Sequence, residues 1–473
     1  MRNHAFLITL CALLAGCAIG PNHVRPDAPV PTQWRERVAA ESAELAELAG
    51  TRPWWTLFED ETLSQLAQRV EVSNQNIAAF AAAFTRARAS IAEQRAALFP
   101  QLTLNLGGTR SRTARIVAPS PTAVVSPGAI RTIYQGSVGA TWEADVWGRV
   151  SRAIESARAT ADASESDLAA IRLTAQADLS ATYLQLRATD AEIELVERTV
   201  AAFERSLRIT RNRYEAGIAP RTDVLQAETQ LASARADQAG LAQRRAQFEH
   251  AIAVLVGVAP GDFALPRAPW QPTVPATAVG VPSALLQRRP DIAAAERRVA
   301  AANALIGVEQ TAYFPRLVLN GSLGRSALTL SGLANAAASA WSLGTQVIQI
   351  AFNAGATRAR VEAALAAREE SVATYRQTVL VAFQEVEDQL AALDTLAEQQ
   401  ALRREASQAA DLAEQQVLNR YVAGRVGFVE VVAAQATALN ARRALVQAIV
   451  ARQAAAVGLI QAIGGGWRAA DSG

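Results

Sequence analysis

Residues 149–216 contain neither glycine nor proline, and neither do residues 356–423; both windows are 68 residues long. Without those two breakers each window can run as one helix, which at 1.5 Å per residue would reach roughly 100 Å. No ordinary globular core holds such a rod, because helices there average about a dozen residues. In the first window Leu179, Leu186, Ile193, Val200, Leu207 and Tyr214 recur at every seventh position, the stripe of a coiled coil. In the second, Val372, Val379, Val386 and Leu393 keep the step and Gln400 breaks it. A turn containing glycine follows each rod. A second helix comes next, expected over 221–256 and 428–457, so each copy reads as a long antiparallel hairpin.

The rods belong to a duplicated unit. Ala97-Leu98-Phe99-Pro100-Gln101-Leu102-Thr103-Leu104-Asn105 matches Ala312-Tyr313-Phe314-Pro315-Arg316-Leu317-Val318-Leu319-Asn320 at an offset of 215. Gly148 with Glu155 matches Gly355 with Glu362, and Arg213-Tyr214-Glu215-Ala216-Gly217 matches Arg420-Tyr421-Val422-Ala423-Gly424, both at 207. The eight extra residues of the first copy therefore fall between Asn105 and Gly148, in a loop marked by Pro119, Pro121, Pro127 and Gly128. The expected division is a first repeat over 54–265, a Pro-rich linker over 266–282, a second repeat over 283–464 and a tail over 465–473.

Ahead of each rod the period changes from helical to two. Leu102, Leu104 and Leu106 alternate with Thr103 and Asn105; Val138, Ala140, Trp142, Ala144 and Val146 alternate with Thr141, Glu143 and Asp145. Leu317, Leu319 and Leu323 alternate with Arg316, Asn320 and Ser322, while Trp341–Val347 alternates less cleanly. Four strands of about ten residues suit a tilted transmembrane strand with lipid on one face and water on the other. The competing reading, a soluble sheet packed on one face, needs a partner layer that Ala-rich rods do not obviously supply. Four strands cannot close a barrel, and each unpaired backbone group at an edge in lipid costs several kcal/mol. Oligomerisation is thus required, and two, three or four copies all close geometrically.

Composition narrows the chemistry. Hydrophobic residues make up 50% of the 473 but aromatics only 5%, the excess being mostly alanine, which favours close helix packing. The net charge of +2 excludes a nucleic-acid binder running on bulk positive charge. There is no lysine, so all 46 basic residues are arginine. Two cysteines and three histidines are too few for a zinc or disulfide framework, and no cofactor is expected. Neither Gly-x-Ser-x-Gly nor His-Glu-x-x-His nor a phosphate loop is present, so an enzyme is not expected.

At the N-terminus Arg2 precedes the apolar run Ala5–Leu14, the layout of a secretory signal over 1–16 rather than a membrane span. The run ends in Leu14-Ala15-Gly16-Cys17, which resembles the lipobox of bacterial lipoproteins and implies lipidation at Cys17; Ala18 in place of aspartate implies sorting to the outer membrane. Residues 17–53 then read as a lipidated tether, with Pro21, Pro26, Pro29 and Pro31 holding the first part extended.

Duplicated strand-strand-rod-hairpin units behind a lipobox resemble the TolC-like outer membrane factor family, in its lipoprotein branch serving multidrug efflux. Trp142–Arg149, Arg213–Gly217 with Asp223–Ala227, Arg288–Ile292 and the two Phe-Pro sites carry the resemblance, which runs from about Trp54 to Gly464. It implies a mainly α fold with membrane β-strands: a homotrimer closing a 12-stranded β-barrel in the outer membrane and an α-helical barrel through the periplasm. It further implies a periplasmic adaptor and an inner membrane RND transporter as partners, and a duct that catalyses nothing. The family's tunnel closes at its periplasmic tip. Carried over position by position, Asp223 matches an acidic linking residue and Thr222 the hydroxyl beside it. Glu430 matches a second acidic position, and Tyr421 a tyrosine that bonds across to the neighbouring hairpin. The sequence departs at Val426, where some members have a linking arginine, and at Ala433, where they have a further acid; Arg425 or Arg221 are the candidate substitutes.

Asp223 also reads as a first-turn residue favoured by the helix dipole, and Arg213 and Arg420 as last-turn cations doing the same at the other end. Gly217 and Gly424 read as left-handed helix stops. With Tyr214 and Arg425 these turns are the candidate adaptor contacts. His250 has no second histidine nearby. Arg288-Arg289-Pro290-Asp291 is expected to start a helix with Asp291 in its first turn. Two alternatives to the efflux duct stand beside it: the exit duct of a type I protein secretion system, and a coiled-coil envelope lipoprotein without a pore.

Overall fold

The structure, a computed structural model, describes residues 18–36, 53–112, 130–275, 279, 282–335 and 339–467. The signal segment, Cys17, the prolines at 119, 121 and 127 and the end of the C-terminal tail lie outside the described residues. The chain divides into two compact units, and each takes part of both sequence copies.

One unit holds Phe84–Ala163, Glu296–Thr374 and the N-terminal segment through Pro26. Its sheet is β1 (Gln101–Arg112), β2 (Ile130–Ala144), β3 (Arg316–Ala327) and β4 (Ser339–Ile348), antiparallel throughout and ordered β1-β2-β3-β4. The register puts Leu104 opposite Val138, Val138 opposite Leu323, and Leu323 opposite Trp341. Leu102, Leu106, Trp142, Leu317, Leu319, Leu343 and Val347 share that face, because successive side chains alternate across a sheet. The other face carries Thr103, Asn105, Ser137, Thr141, Asn320, Ser322 and Gln346. In register, Trp341, Leu343 and Val347 of β4 point one way and Ser342, Gly344 and Gln346 the other, with Thr345 interrupting the apolar side. β2 begins at Ile130, well before Val138, since Tyr134 to Arg131 pair with Gly108 to Ser111.

Among the described residues nothing covers the apolar face. Leu102, Leu104 and Leu106 are 71%, 70% and 76% exposed, and Trp341 and Leu343 both 78%. Below the sheet, Trp147 donates to Pro315 O at 2.8 Å and stacks on Phe314, which ties the Phe-Pro site of the second copy to the Trp-Gly turn of the first. The start of the tether is held here too: Arg152 donates to the carbonyls of Ile19 and Gly20 and to Asn22, and Asn303 to Pro21 O. Residues 18–22 are thus a fastened strap, because an arginine fork converts an extended backbone into a ligand.

The second unit holds Asp27–Ala83, Ser164–Ala295 and Tyr375–Gly473. Helices α1 (Glu61–Ser73) and α2 (Gln75–Ala96) break at Asn74, whose Oδ1 accepts from the amides of Asn76 and Ile77 while its Nδ2 donates to Leu255 O. The rods are α3 (Arg149–Glu215) and α7 (Ala356–Val422), and their return helices α4 (Arg221–Leu255) and α8 (Phe428–Ala462). α8 continues five residues past its expected end, through Gly458, where the side chain of Gln389 packs against the bare backbone. The second copy opens with α5 (Pro282–Arg288) and α6 (Pro290–Gln310), with Asp291 in the first turn of α6 as expected. Arg289 grips Asp291, Glu385 and Ala462 O, so the charged turn fastens the end of α8.

The duplication recurs as chemistry. Arg235 pairs with Glu204 across the first hairpin, and Arg442 with Asp411 at the equivalent place in the second. The linker is pinned by a buried network: Arg187 meets Asp190 at 3.1 Å and Pro266 O at 2.8 Å, while Arg245 reaches Asp190 and Leu265 O. Tyr183 donates to Asp60 and receives from Arg187, and burial pushes its hydroxyl up to about 12, so it remains a donor.

Candidate functional site

The hairpin ends gather the residues singled out from the sequence. Both rods stop in the same way. Gly217 and Gly424 take φ of +73° and +72°; Ile218 N bonds Arg213 O and Arg425 N bonds Arg420 O, each at 2.8 Å. This is the left-handed close that glycine enters without a Cβ penalty, and it satisfies carbonyls a helix end would otherwise leave open.

Tyr421 is the buried centre of the tip. It is 2% exposed and clusters with Ala227, Phe428 and Val431, its ring 5.5 Å from that of Phe428. Its hydroxyl shares a 3.1 Å hydrogen bond with Thr210 of α3. Tyr421 thus bonds across to the other hairpin of its own chain, and its partner there is Thr210, one turn inside the rod at the depth where the ring is buried. Val426 packs against the same cluster, which accounts for an apolar residue at a position expected to carry a linking cation.

Arg213 lies in the last turn of α3 as expected, and its guanidinium donates to Tyr421 O at 2.8 Å and lies 4.7 Å over the Tyr421 ring, so that it also caps the end of α7. A charged donor to a terminal carbonyl contributes about 1.5–3 kcal/mol where water is partly excluded, and the ring contact adds about 0.5–2 kcal/mol. Sequence reasoning missed Thr210 altogether. Its only signal is a hydroxyl on the buried side of the rod, one heptad after Phe203.

Thr222, Asp223 and Glu430 stand in the first turns of α4 and α8. Thr222 and Glu430 are exposed and Asp223 half-exposed. Neither carboxylate meets an ion-pair or hydrogen-bond partner in the chain among the described residues, and the same holds for Arg221 and Arg425. The tip thus presents two acids and two guanidinium groups with their charges unspent. Tyr214 is 43% exposed, Gly217, Gly424, Ala433 and Arg425 are exposed, and His250 is a surface residue of α4.

The profile of the outer membrane efflux protein family matches residues 66–258 and 281–465. The chain belongs to that family. This efflux protein is 33% identical over 472 residues to the pyoverdine export outer membrane protein OpmQ of Pseudomonas aeruginosa, covering 98% of this chain and 96% of that one. It is 31% identical over 458 residues to the toluene efflux pump outer membrane protein TtgC of Pseudomonas putida, covering 96% and 94%. Its fold matches the solved outer-membrane channel OprN with a TM-score of 0.84 at 29% identity, over 95% of this chain and 99% of that one. The mainly α, TolC-like architecture expected from the sequence is the one found.

Proposed function

We propose that this protein is the outer-membrane exit duct of a tripartite efflux pump, passing small toxic compounds from a periplasmic adaptor and an inner membrane RND transporter to the exterior. The observation that carries it is the sheet. Its apolar face runs over four strands, and among the described residues nothing covers it and β1 and β4 have unpaired outer edges. In water such a face and such edges would aggregate; in a bilayer the face is solvated by lipid and the edges must close on other copies. Three four-stranded sheets give a 12-stranded barrel with its polar face lining the pore. The relatives' names support export, and since they differ in cargo, pyoverdine against toluene, the duct is an unselective conduit whose substrate the transporter chooses.

The two repeats, 54–265 and 283–464, supply four helices per chain to a periplasmic helical barrel. Thr222, Asp223, Tyr421 and Glu430 form its gate, and the turns at Tyr214, Gly217, Gly424 and Arg425 meet the adaptor. Purified protein in mild detergent should be sized as three chains of 50.1 kDa and should open ohmic single channels in planar bilayers. A monodisperse monomer without conductance would exclude the duct.

Cys17 is the lipid attachment site, and the strap from Ala18 to Asn22, clamped by Arg152, explains how an anchor at that point stays beside the sheet. Cys17→Ser should lose all label from a metabolically supplied fatty acid. Conductance should persist, because the barrel inserts independently of the lipid. Label retained on the variant would refute the assignment.

A further inference from the structure

The seam inside one chain has a counterpart that the chain leaves empty. Inside, Arg213 on the first rod caps and covers Tyr421 on the second, Thr210 bonds the Tyr421 hydroxyl, and Ala227 and Phe428 complete the pocket. Adding the repeat offset of 207 to the first-copy residues gives Arg420, Val417 and Ala434, and the same step back from Tyr421 gives Tyr214. Among the described residues Arg420 is exposed and makes no ion pair or side-chain hydrogen bond, and Tyr214 is 43% exposed with its hydroxyl equally unpartnered. Both halves of a second seam are therefore present and unused within the chain's described residues.

We propose that Arg420 of one chain caps Tyr214 O of the next and covers its ring, so that neighbouring copies are joined by the same contact that joins the two hairpins within a copy. This rests on the trimeric duct proposed above. In a head-to-tail ring the face that one repeat offers is met by the complementary face of the following one, and six hairpins then meet through alternating inner and outer seams. The two kinds of seam are unequal. Val417 stands where Thr210 bonds the tyrosine hydroxyl, so the outer seam lacks that hydrogen bond. Arg221 stands where Phe428 packs on the ring, so the outer seam exchanges an aromatic contact for a second guanidinium. The inner seam thus has a hydroxyl and an aromatic contact that the outer one lacks, and the outer seam is the weaker of the two.

The test is a paired-cysteine variant of the full chain, Tyr214→Cys with Arg420→Cys, treated in membranes with a short bismaleimide and run on a denaturing gel. The expected result is a shift from monomer to a covalent dimer and trimer, absent from either single variant. Untreated material is sized in detergent alongside. A trimer that yields only uncross-linked or internally cross-linked monomer overturns the outer seam and leaves the duct intact, whereas a monomer by size removes both.

Discussion

Arginine at Leu104 and Leu343 should abolish stable insertion in the outer membrane. Both side chains lie on the uncovered face, at 70% and 78% exposure, one on each edge strand. A charged residue on the lipid side of a membrane strand costs about 2–4 kcal/mol near the bilayer midplane and less towards its borders. The double variant repeats that cost at six places in a trimer, about 12–24 kcal/mol in all, which matches or exceeds the margin of about 5–15 kcal/mol by which folded domains are stable. Asn105→Arg is the control: Asn105 is the next residue along β1 and faces the polar side opposite Ser137. It should insert as well as the parent and alter only pore conductance. The measurement is the amount of trimer recovered from outer membrane fractions. Equal recovery of Leu104→Arg/Leu343→Arg and Asn105→Arg would mean that lipid does not meet this face.

That contrast also marks what sequence makes legible. Period-two alternation at Leu102–Leu106 and Val138–Ala144 needs no tertiary information, because neighbouring side chains in a strand point to opposite faces whatever the strand pairs with. β4 was harder to read. Thr345 interrupts its apolar side, and only the pairing of Leu323 with Trp341 restores the register. The rods were legible to within a residue because glycine and proline bound them. Their packing was not. Leu179, Leu186 and Ile193 are fully buried, but the stripe then rotates out through Val200 and Leu207 to exposed Tyr214, while Val196, Phe203 and Thr210 take over. A straight α-helix drifts about 20° per heptad against a strict seven-residue repeat, so a stripe read off the sequence walks out of the core within a few turns. In the second rod the opposite occurs. Gln400, which ends the apolar stripe, is 9% exposed and receives a hydrogen bond from Arg452, and Ser407 and Tyr421 continue the buried face at the same step. The face persists after its composition turns polar, since a hydrogen-bonded glutamine is tolerated where an unpaired one would not be.

At the tip the limit was different in kind. Tyr421, Asp223 and Glu430 could be placed by position, yet the partner of Tyr421 depended on depth along a rod, and the target of Arg213 lay on a helix 208 residues away. Glycine turns and first-turn acids are local and therefore readable. A side chain that caps another helix is not.

Neutralising the tip acids with Asp223→Asn and Glu430→Gln should remove most of the channel's preference for cations. Both carboxylates sit in the first turn of a return helix without a partner in the chain, so neither charge is cancelled locally. In a trimer they place six negative charges around one entrance, and at a physiological Debye length of about 8 Å a constriction keeps them in view of a passing ion. Amides of the same shape leave the packing alone and change only the field, so the potassium-to-chloride permeability ratio from reversal potentials should fall towards one, with the loss greatest at low salt. Tyr421→Phe isolates the other half of the gate. It removes one buried hydrogen bond, worth about 0.5–1.5 kcal/mol, and leaves Thr210 without its partner. Arg213→Ala removes both the cap on Tyr421 O and the cation over its ring, and should raise conductance more than Tyr421→Phe does. If the Asp223→Asn/Glu430→Gln channel selects like the parent, the acids do not line the entrance. If Arg213→Ala conducts no better than Tyr421→Phe, the clasp on the second rod does not hold the tip closed.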